Sequence, residues 1–162
     1  VGWNLCPFAK PVVKADAIRY SVCKSSDPYG QLDVLEDELR FLAESSWETT
    51  LLILPGATSD FERFNDWLAE ADALLRDRRL TGIIQLVGFH PAFRFAGDDP
   101  DDPANFTNRS PYPMLHLLRE SSIEAVRKGS AAISSIPERN RSFLQGMGWQ
   151  KIQAALGDLK SS

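Results

Sequence analysis

Two short, uninterrupted apolar runs constrain this chain most: Thr49 to Leu54 (TTLLIL), closed by Pro55-Gly56, and Gly82 to Phe89 (GIIQLVGF), closed by His90-Pro91. Runs of this length without polar alternation suit β-strands covered on both faces. Upstream, Ala17 to Cys23 (AIRYSVC) alternates, as a strand with one solvated face does. The segments between the strands have helical period. Leu32, Leu35, Leu39 and Leu42 draw one apolar stripe opposite Asp33, Glu36, Asp37 and Arg40. A second helix begins at Ser59, carries Asp60 and Glu62 in its first turn, packs through Phe61, Phe64, Trp67, Leu68, Ala71, Leu74 and Leu75, and ends in the basic stretch Arg76 to Arg79. Strand, helix, strand, helix, strand predicts an α/β fold with a small, mainly parallel sheet of three to four strands flanked by helices. Further helices are expected at about Pro113 to Lys128 and Pro137 to Leu156. With the N-terminal stretch Gly2 to Lys10 they would cover the second face of the sheet, and Phe93 to Phe95 would add a short edge strand.

Size and charge narrow the function classes. A chain of 162 residues, 43% of them apolar, is expected to form one domain with a core that needs no staple. Its net charge of −4 and lack of a Lys/Arg block argue against nonspecific nucleic-acid binding, which needs clustered positive charge. No apolar run approaches the ~18 residues of a membrane-spanning helix. Cys6 and Cys23 would staple only a short N-terminal loop, so reduced thiols and a cytoplasmic protein are expected. The first residue is Val, which fits a trimmed start or a longer parent chain, so a removed targeting segment stays compatible. The sequons at Asn105, Asn108 and Asn140 are read as chance.

The chemistry concentrates around one connection. Pro91 to Pro113 far exceeds the ~2–6 residues usual after a strand, and loops of that size are usually functional or disordered. In open parallel sheets ligands bind outside the carboxyl ends of the strands, here Cys23, Pro55 and His90. The loop leaves from His90 and returns to the expected helix bearing His116 and Glu120, four apart on one helical face with Arg119 beside them. His90, His116 and Glu120 form a two-imidazole, one-carboxylate set that suits non-haem Fe(II) or catalytic Zn²⁺. A helix N-terminus near His116 would keep its imidazole neutral. Read more plainly, the i, i+4 pair is a solvated helix face and His90 caps a strand. Cys6, in Asn4-Leu5-Cys6-Pro7-Phe8, is a second candidate: a thiol near a helix start or a His can act as nucleophile, redox centre or metal ligand. Cys-Pro is also a context in which thiolate binds haem, so haem stays open as a cofactor. The alternative for Cys6, and more so for Cys23, is a small core hydrophobe. Arg109 and Arg119 are candidates to hold an anionic substrate through their planar forks, with Asn108 and Tyr112 beside them; otherwise they anchor the loop through carbonyls. The acidic run Asp98 to Asp102 lacks the spacing of a calcium loop. No phosphate-binding glycine loop or nucleophile elbow occurs.

Three motifs carry a resemblance. Asn4 to Ala9 (NLCPFA), Phe89 to Gly97 (FHPAFRFAG) and Thr107 to Glu120 (TNRSPYPMLHLLRE) are similar to a bacterial family of unknown function marked by CPFA, FHPxFxFAG and TNRSPYPxLHLLRE. The likeness spans nearly the whole chain. It implies no particular reaction, and it sets Cys6, His90, Arg109, His116, Arg119 and Glu120 inside motifs while Cys23 lies outside.

Three functional expectations follow. The first is a small-molecule enzyme in which His90, His116 and Glu120, with or without Cys6, hold Fe or Zn to activate water or dioxygen. Arg109 or Arg119 would then orient an anionic substrate. The second is a thiol enzyme or redox protein with Cys6 as nucleophile and a His as base. The third is a noncatalytic ligand-binding or assembly module whose loop motif is a structural clamp. None calls for a membrane or a nucleic acid as partner.

Overall fold

The structure is a computed structural model that describes residues 2–129 and 135–159. The expected alternation is present as β1 (Ile18–Val22), α2 (Pro28–Glu44), β2 (Thr49–Ile53), α3 (Phe61–Asp77) and β3 (Ile84–Phe89), preceded by a short α1 (Ala9–Lys14). Local chemistry fixes the helix starts. Asp27 caps α2 by accepting from the Gly30 N–H at 2.8 Å, with Pro28 at the first position, where its missing N–H costs nothing. Asp60, rather than Ser59, caps α3, accepting from the N–H groups of Glu62 and Arg63. The leucine stripe of α2 and Phe64, Trp67, Ala71 and Leu75 of α3 pack on one face of the sheet against Leu52, Ile84, Leu115 and Leu117. At the carboxyl ends of β1 and β2 the two loops touch. A side chain on Gly56 would come within 2.9 Å of the Ser25 carbonyl oxygen, so the contact admits only glycine without a shift.

The sheet is mixed rather than mainly parallel. Its order is β1-β2-β4-β3, with β1 and β2 parallel and β4 (Met114–Arg119) antiparallel to both β2 and β3. The helix expected from Pro113 to Lys128 is therefore a strand followed by α4 (Glu120–Gly129). The reason is physical. A strand buried on both faces reads as a continuous apolar run, and Leu-His-Leu-Leu is equally good helix sequence, so only the neighbouring strands decide. Leu115 and Leu117 face α2 and α3, fully buried, while Met114, His116 and Leu118 face the other side. Phe93 to Phe95 is irregular and adds no edge strand. The expected Pro137 to Leu156 helix is two, α5 (Ile136–Met147) and α6 (Trp149–Leu159), separated at Gly148, whose φ of 76° no helix interior admits.

Arg119, expected at a ligand, instead ends β4 by gripping the end of α2. Its guanidinium donates to the carbonyl oxygens of Trp47 (2.7 Å), Ser45 (2.5 Å) and Leu42. The last carbonyls of a helix have no intrahelical donor, so one fork satisfies groups that would otherwise need water. Opposite it, Arg19 of β1 makes a two-pronged pair with Glu38 of α2 at 2.7 and 3.0 Å and lies 4.2 Å over the Phe41 ring, tying the edge strand to the same helix. Burial alone would raise the Glu38 carboxyl, but Arg19 and Ser21 outweigh it and hold it below the usual range. Replacing Arg119 by Ala is expected to lower the unfolding free energy by about 2–4 kcal/mol in urea titration, with Lys restoring only part because a point charge cannot fork. A loss below about 0.5 kcal/mol, the size of an ordinary surface substitution, would show that the grip is incidental.

Candidate functional site

The two histidines lie on opposite faces of the sheet. His90, just past β3, is fully buried on the α3 side, against the rings of Phe61 and Phe64. Its Nδ1 accepts from the Ala92 N–H at 3.1 Å, so that nitrogen carries no proton, and its Nε2–H donates to the Thr58 carbonyl at 3.1 Å. Both nitrogens are engaged by backbone, and neither offers a lone pair to a metal. His116 faces the other side. Glu120 is separated from it by four residues of strand, roughly 13 Å, instead of the ~6 Å of one helical turn. The expected ligand set of His90, His116 and Glu120 is thus not assembled, and among the described residues no three His, Cys, Asp or Glu are grouped to hold a metal ion.

The long loop explains most of the remaining motif residues. Phe89 pairs with Met114, so residues 90–113 connect two neighbouring antiparallel strands and must close on themselves. Asn108 joins both ends: its carbonyl accepts from the His90 N–H and its Nδ2 donates to the Gly88 carbonyl, each at 3.1 Å. Arg109 spans the loop by donating to the carbonyls of Phe93 (3.1 Å) and Pro100 (2.6 Å), while lying over the Phe106 and Trp149 rings. Asn105 was not singled out beyond its sequon, yet it is the loop's central pin. It is fully buried, with Oδ1 accepting from the Phe95 N–H and Nδ2 donating to the carbonyls of Asp99 and Pro100. A 3-10 turn, Pro103–Thr107, packs this loop on α5, where Arg141 pairs with Asp98 at 2.6 Å. Tyr112 is 54% exposed. The side chains of Asn105, Asn108 and Arg109 are thus each hydrogen-bonded to backbone of the loop or its flanks.

What the structure does bring together is Cys6 and His116. Both line a cavity of about 700 Å³ on the sheet face opposite α2 and α3. Ile18 of β1, Leu51 of β2 and Leu118 of β4 form its floor, and α1 and the first turns of α4 form its walls. The strand that escaped the sequence reading is what aims His116 here. Its Nε2 lies 2.7 Å from the Thr49 hydroxyl, which donates in turn to the Leu117 carbonyl at 2.6 Å. A hydroxyl has one proton, so Thr49 accepts from His116 Nε2–H, and in the neutral ring the unprotonated nitrogen is then Nδ1. Nδ1 has no hydrogen-bond partner among the described residues. Burial pushes the imidazole down to about 4. At the rim, the exposed Glu48 accepts from the Ser122 hydroxyl at 2.6 Å. Cys6 is exposed, whereas Cys23 is 1% exposed at the end of β1; neither forms a disulfide. Thr49, Glu48 and Ser122 were missed, because their relevance arises only from strand register.

A second hollow, of about 640 Å³, lies at the carboxyl ends of β1 and β2 between the starts of α2 and α3, where the strand-end rule pointed. It contains neither histidine nor cysteine. No helix among the described residues is long and apolar enough to cross a membrane.

A sequence model of one family, described as "Protein of unknown function (DUF1415)", matches residues 1–154. No curated protein and no solved structure matches the chain.

The lowered basicity of His116 has a stability consequence with a definite sign. The unfolded chain takes up a proton near the ordinary value of 6.5, whereas the folded protein resists it until about 4. The contribution of neutral His116 is therefore complete above pH 6.5 and is lost as the pH falls through this window. Unfolding titrations of wild type and His116→Asn at pH 7.5, 5.5 and 4 are expected to show the wild type losing more stability than the variant between the first and last. Parallel losses would contradict the buried neutral imidazole.

Proposed function

The chain belongs to the DUF1415 family, and on that premise we propose that it binds a small, predominantly apolar molecule in the cavity under α1 and α4, with neutral His116 as the hydrogen-bond acceptor in its wall. The observation that carries this reading is the cavity: about 700 Å³, lined mostly by aliphatic side chains with few polar groups converging on it. Those are the features of small-molecule sites, in which apolar walls supply affinity and one or two polar groups supply orientation. His116 fits the second role. A ring whose Nε2–H is already donated presents a fixed acceptor, and its low basicity keeps it so at neutral pH. The metal reading draws less support, since His90 has both nitrogens hydrogen-bonded to backbone on the far face. The anionic substrate draws less as well, with Arg119 bound to three carbonyls and Arg109 to two.

One observation favours a second reading, the thiol enzyme: Cys6 lines the same cavity as His116. An imidazole titrating near 4 is a weak base for a thiol of ordinary pKa about 8.5, so proton transfer between them is unfavourable in the empty cavity. Chemistry at Cys6 would then require the arriving ligand to change the surroundings of the pair.

Nile red, a neutral apolar dye, tests the binding reading. It is expected to bind one per chain with enhanced, blue-shifted emission. Ala9→Trp in the wall and Leu51→Trp in the floor should each weaken that binding by about tenfold or more, by filling the space with a large ring. Dye binding unchanged in both folded variants would refute the cavity as the site. Iodoacetamide separates the second reading. A thiol enzyme is expected to label at Cys6 with an apparent pKa below about 8.5, and to be protected by an occupant of the cavity. Labelling at the ordinary pKa without protection would leave binding alone.

A further inference from the structure

We propose that the natural ligand of the cavity is an apolar amine, bound as its ammonium ion with the charge at Glu48 and the hydrocarbon body against the sheet. The inference rests on the cavity being the binding site and adds the sign of charge it accepts. Among the described residues Glu48 is the one Asp, Glu, Lys or Arg that lines the cavity, so the described lining offers a carboxylate and no guanidinium or ammonium. An anionic ligand would meet that carboxylate with no counter-charge from the described lining residues. The carboxylate is also held in place. Ser122 donates to Oε2 at 2.6 Å, and Oε1 keeps its lone pairs without a partner among the described residues. A protonated amine has two or three N–H donors and stays charged at neutral pH, with an ordinary pKa near 10. It would complete Oε1 as a charge-assisted pair, stronger than the bond a neutral hydroxyl makes.

The remainder of the cavity agrees with this assignment. Burial holds His116 neutral, and with its Nε2–H donated to Thr49 it presents Nδ1 as an acceptor, so it adds no repulsion against a cation. Ile18, Leu51 and Leu118 provide a floor for a chain or a ring, and among the described residues no second carboxylate lines the cavity. The rim carboxylate with an apolar interior thus matches a molecule charged at one end only.

Three molecules of one shape, 3-phenylpropylamine, 3-phenylpropan-1-ol and 3-phenylpropanoate, measure the charge preference by displacement of Nile red at low ionic strength. The amine is expected to bind about 3- to 5-fold tighter than the alcohol, the range of an exposed ion pair, and the acid to bind weakest. The margin should shrink as salt is added. In Glu48→Gln the amine-to-alcohol ratio should fall to about one, since the charge-assisted part is gone. Equal binding of amine and alcohol to the wild type, preference for the acid, a ratio unaffected by Glu48→Gln, or failure of the amine to displace bound dye would each overturn the charge assignment while the cavity stands. Absence of dye binding to the wild type would instead remove the cavity reading, and this inference with it.

Discussion

The fold depends on β4 filling the gap between β2 and β3. Two strands with a third between them lie about 10 Å apart, beyond any direct hydrogen bond, so without β4 the α3 crossover would join two unpaired edges. β4 pairs along its full length with β3, from Met114 against Phe89 to Arg119 against Ile84, and with β2 from Met114 against Ile53 to Leu118 against Thr49. It also supplies Leu115 and Leu117 to the buried face and His116 to the open one. The same strand therefore completes the core and positions the polar centre of the cavity. Arg119 at its end extends the effect to α2, whose terminal carbonyls it satisfies.

An inserted antiparallel strand also dictates the long loop. A chain leaving β3 at Phe89 must turn back to enter β4 at Met114, opposite its own starting point. A tight turn would do this, and a longer excursion needs its own internal packing to stay ordered. Asn105, Asn108, Arg109 and His90 provide it by satisfying the carbonyl and N–H groups that the irregular backbone leaves unpaired. The polar motif that reads in sequence as a binding site is thereby accounted for by backbone bookkeeping inside the loop.

The limits of the sequence reading follow from these facts. β1, β2, β3, α2 and α3 were legible because each has its own period or punctuation: Pro55-Gly56, His90-Pro91, the leucine stripe of α2 and the acidic first turn of α3, although the caps Asp27 and Asp60 emerge only in the structure. β4 was not, because its period is ambiguous within six residues and its partners lie far away in the chain. That single misreading moved His116 from a strand to a helix, placed Glu120 beside it, and made a metal triad out of residues that point apart. Cys6 and His116 were both named from sequence, but their meeting depends on which face of β4 the imidazole takes, and a one-residue change of register would turn it into the core. Thr49 and Glu48 belong to the site through that same register, Thr49 by pairing across from Leu118 and Glu48 by preceding it.

The two faces of the sheet are built to different standards, and this difference favours function on the second. Under α2 and α3, thirteen buried residues from both helices, from β2, β4 and β3, and from the positions just past β1 and β2 form one continuous cluster among the described residues. Opposite, α1 buries none of its residues, and Val13 and Tyr20 stay 47% and 63% exposed beside the cavity. A protein whose stability lay equally on both faces would not tolerate an opening of this size, because lost packing costs stability in proportion to the space left. With the core, the Arg119 grip and the Arg19–Glu38 pair all on the α2 side, the other face is relieved of that demand. It can hold His116 desolvated and leave an apolar floor that the described residues do not cover, an opening whose contacts the proposed ligand would complete.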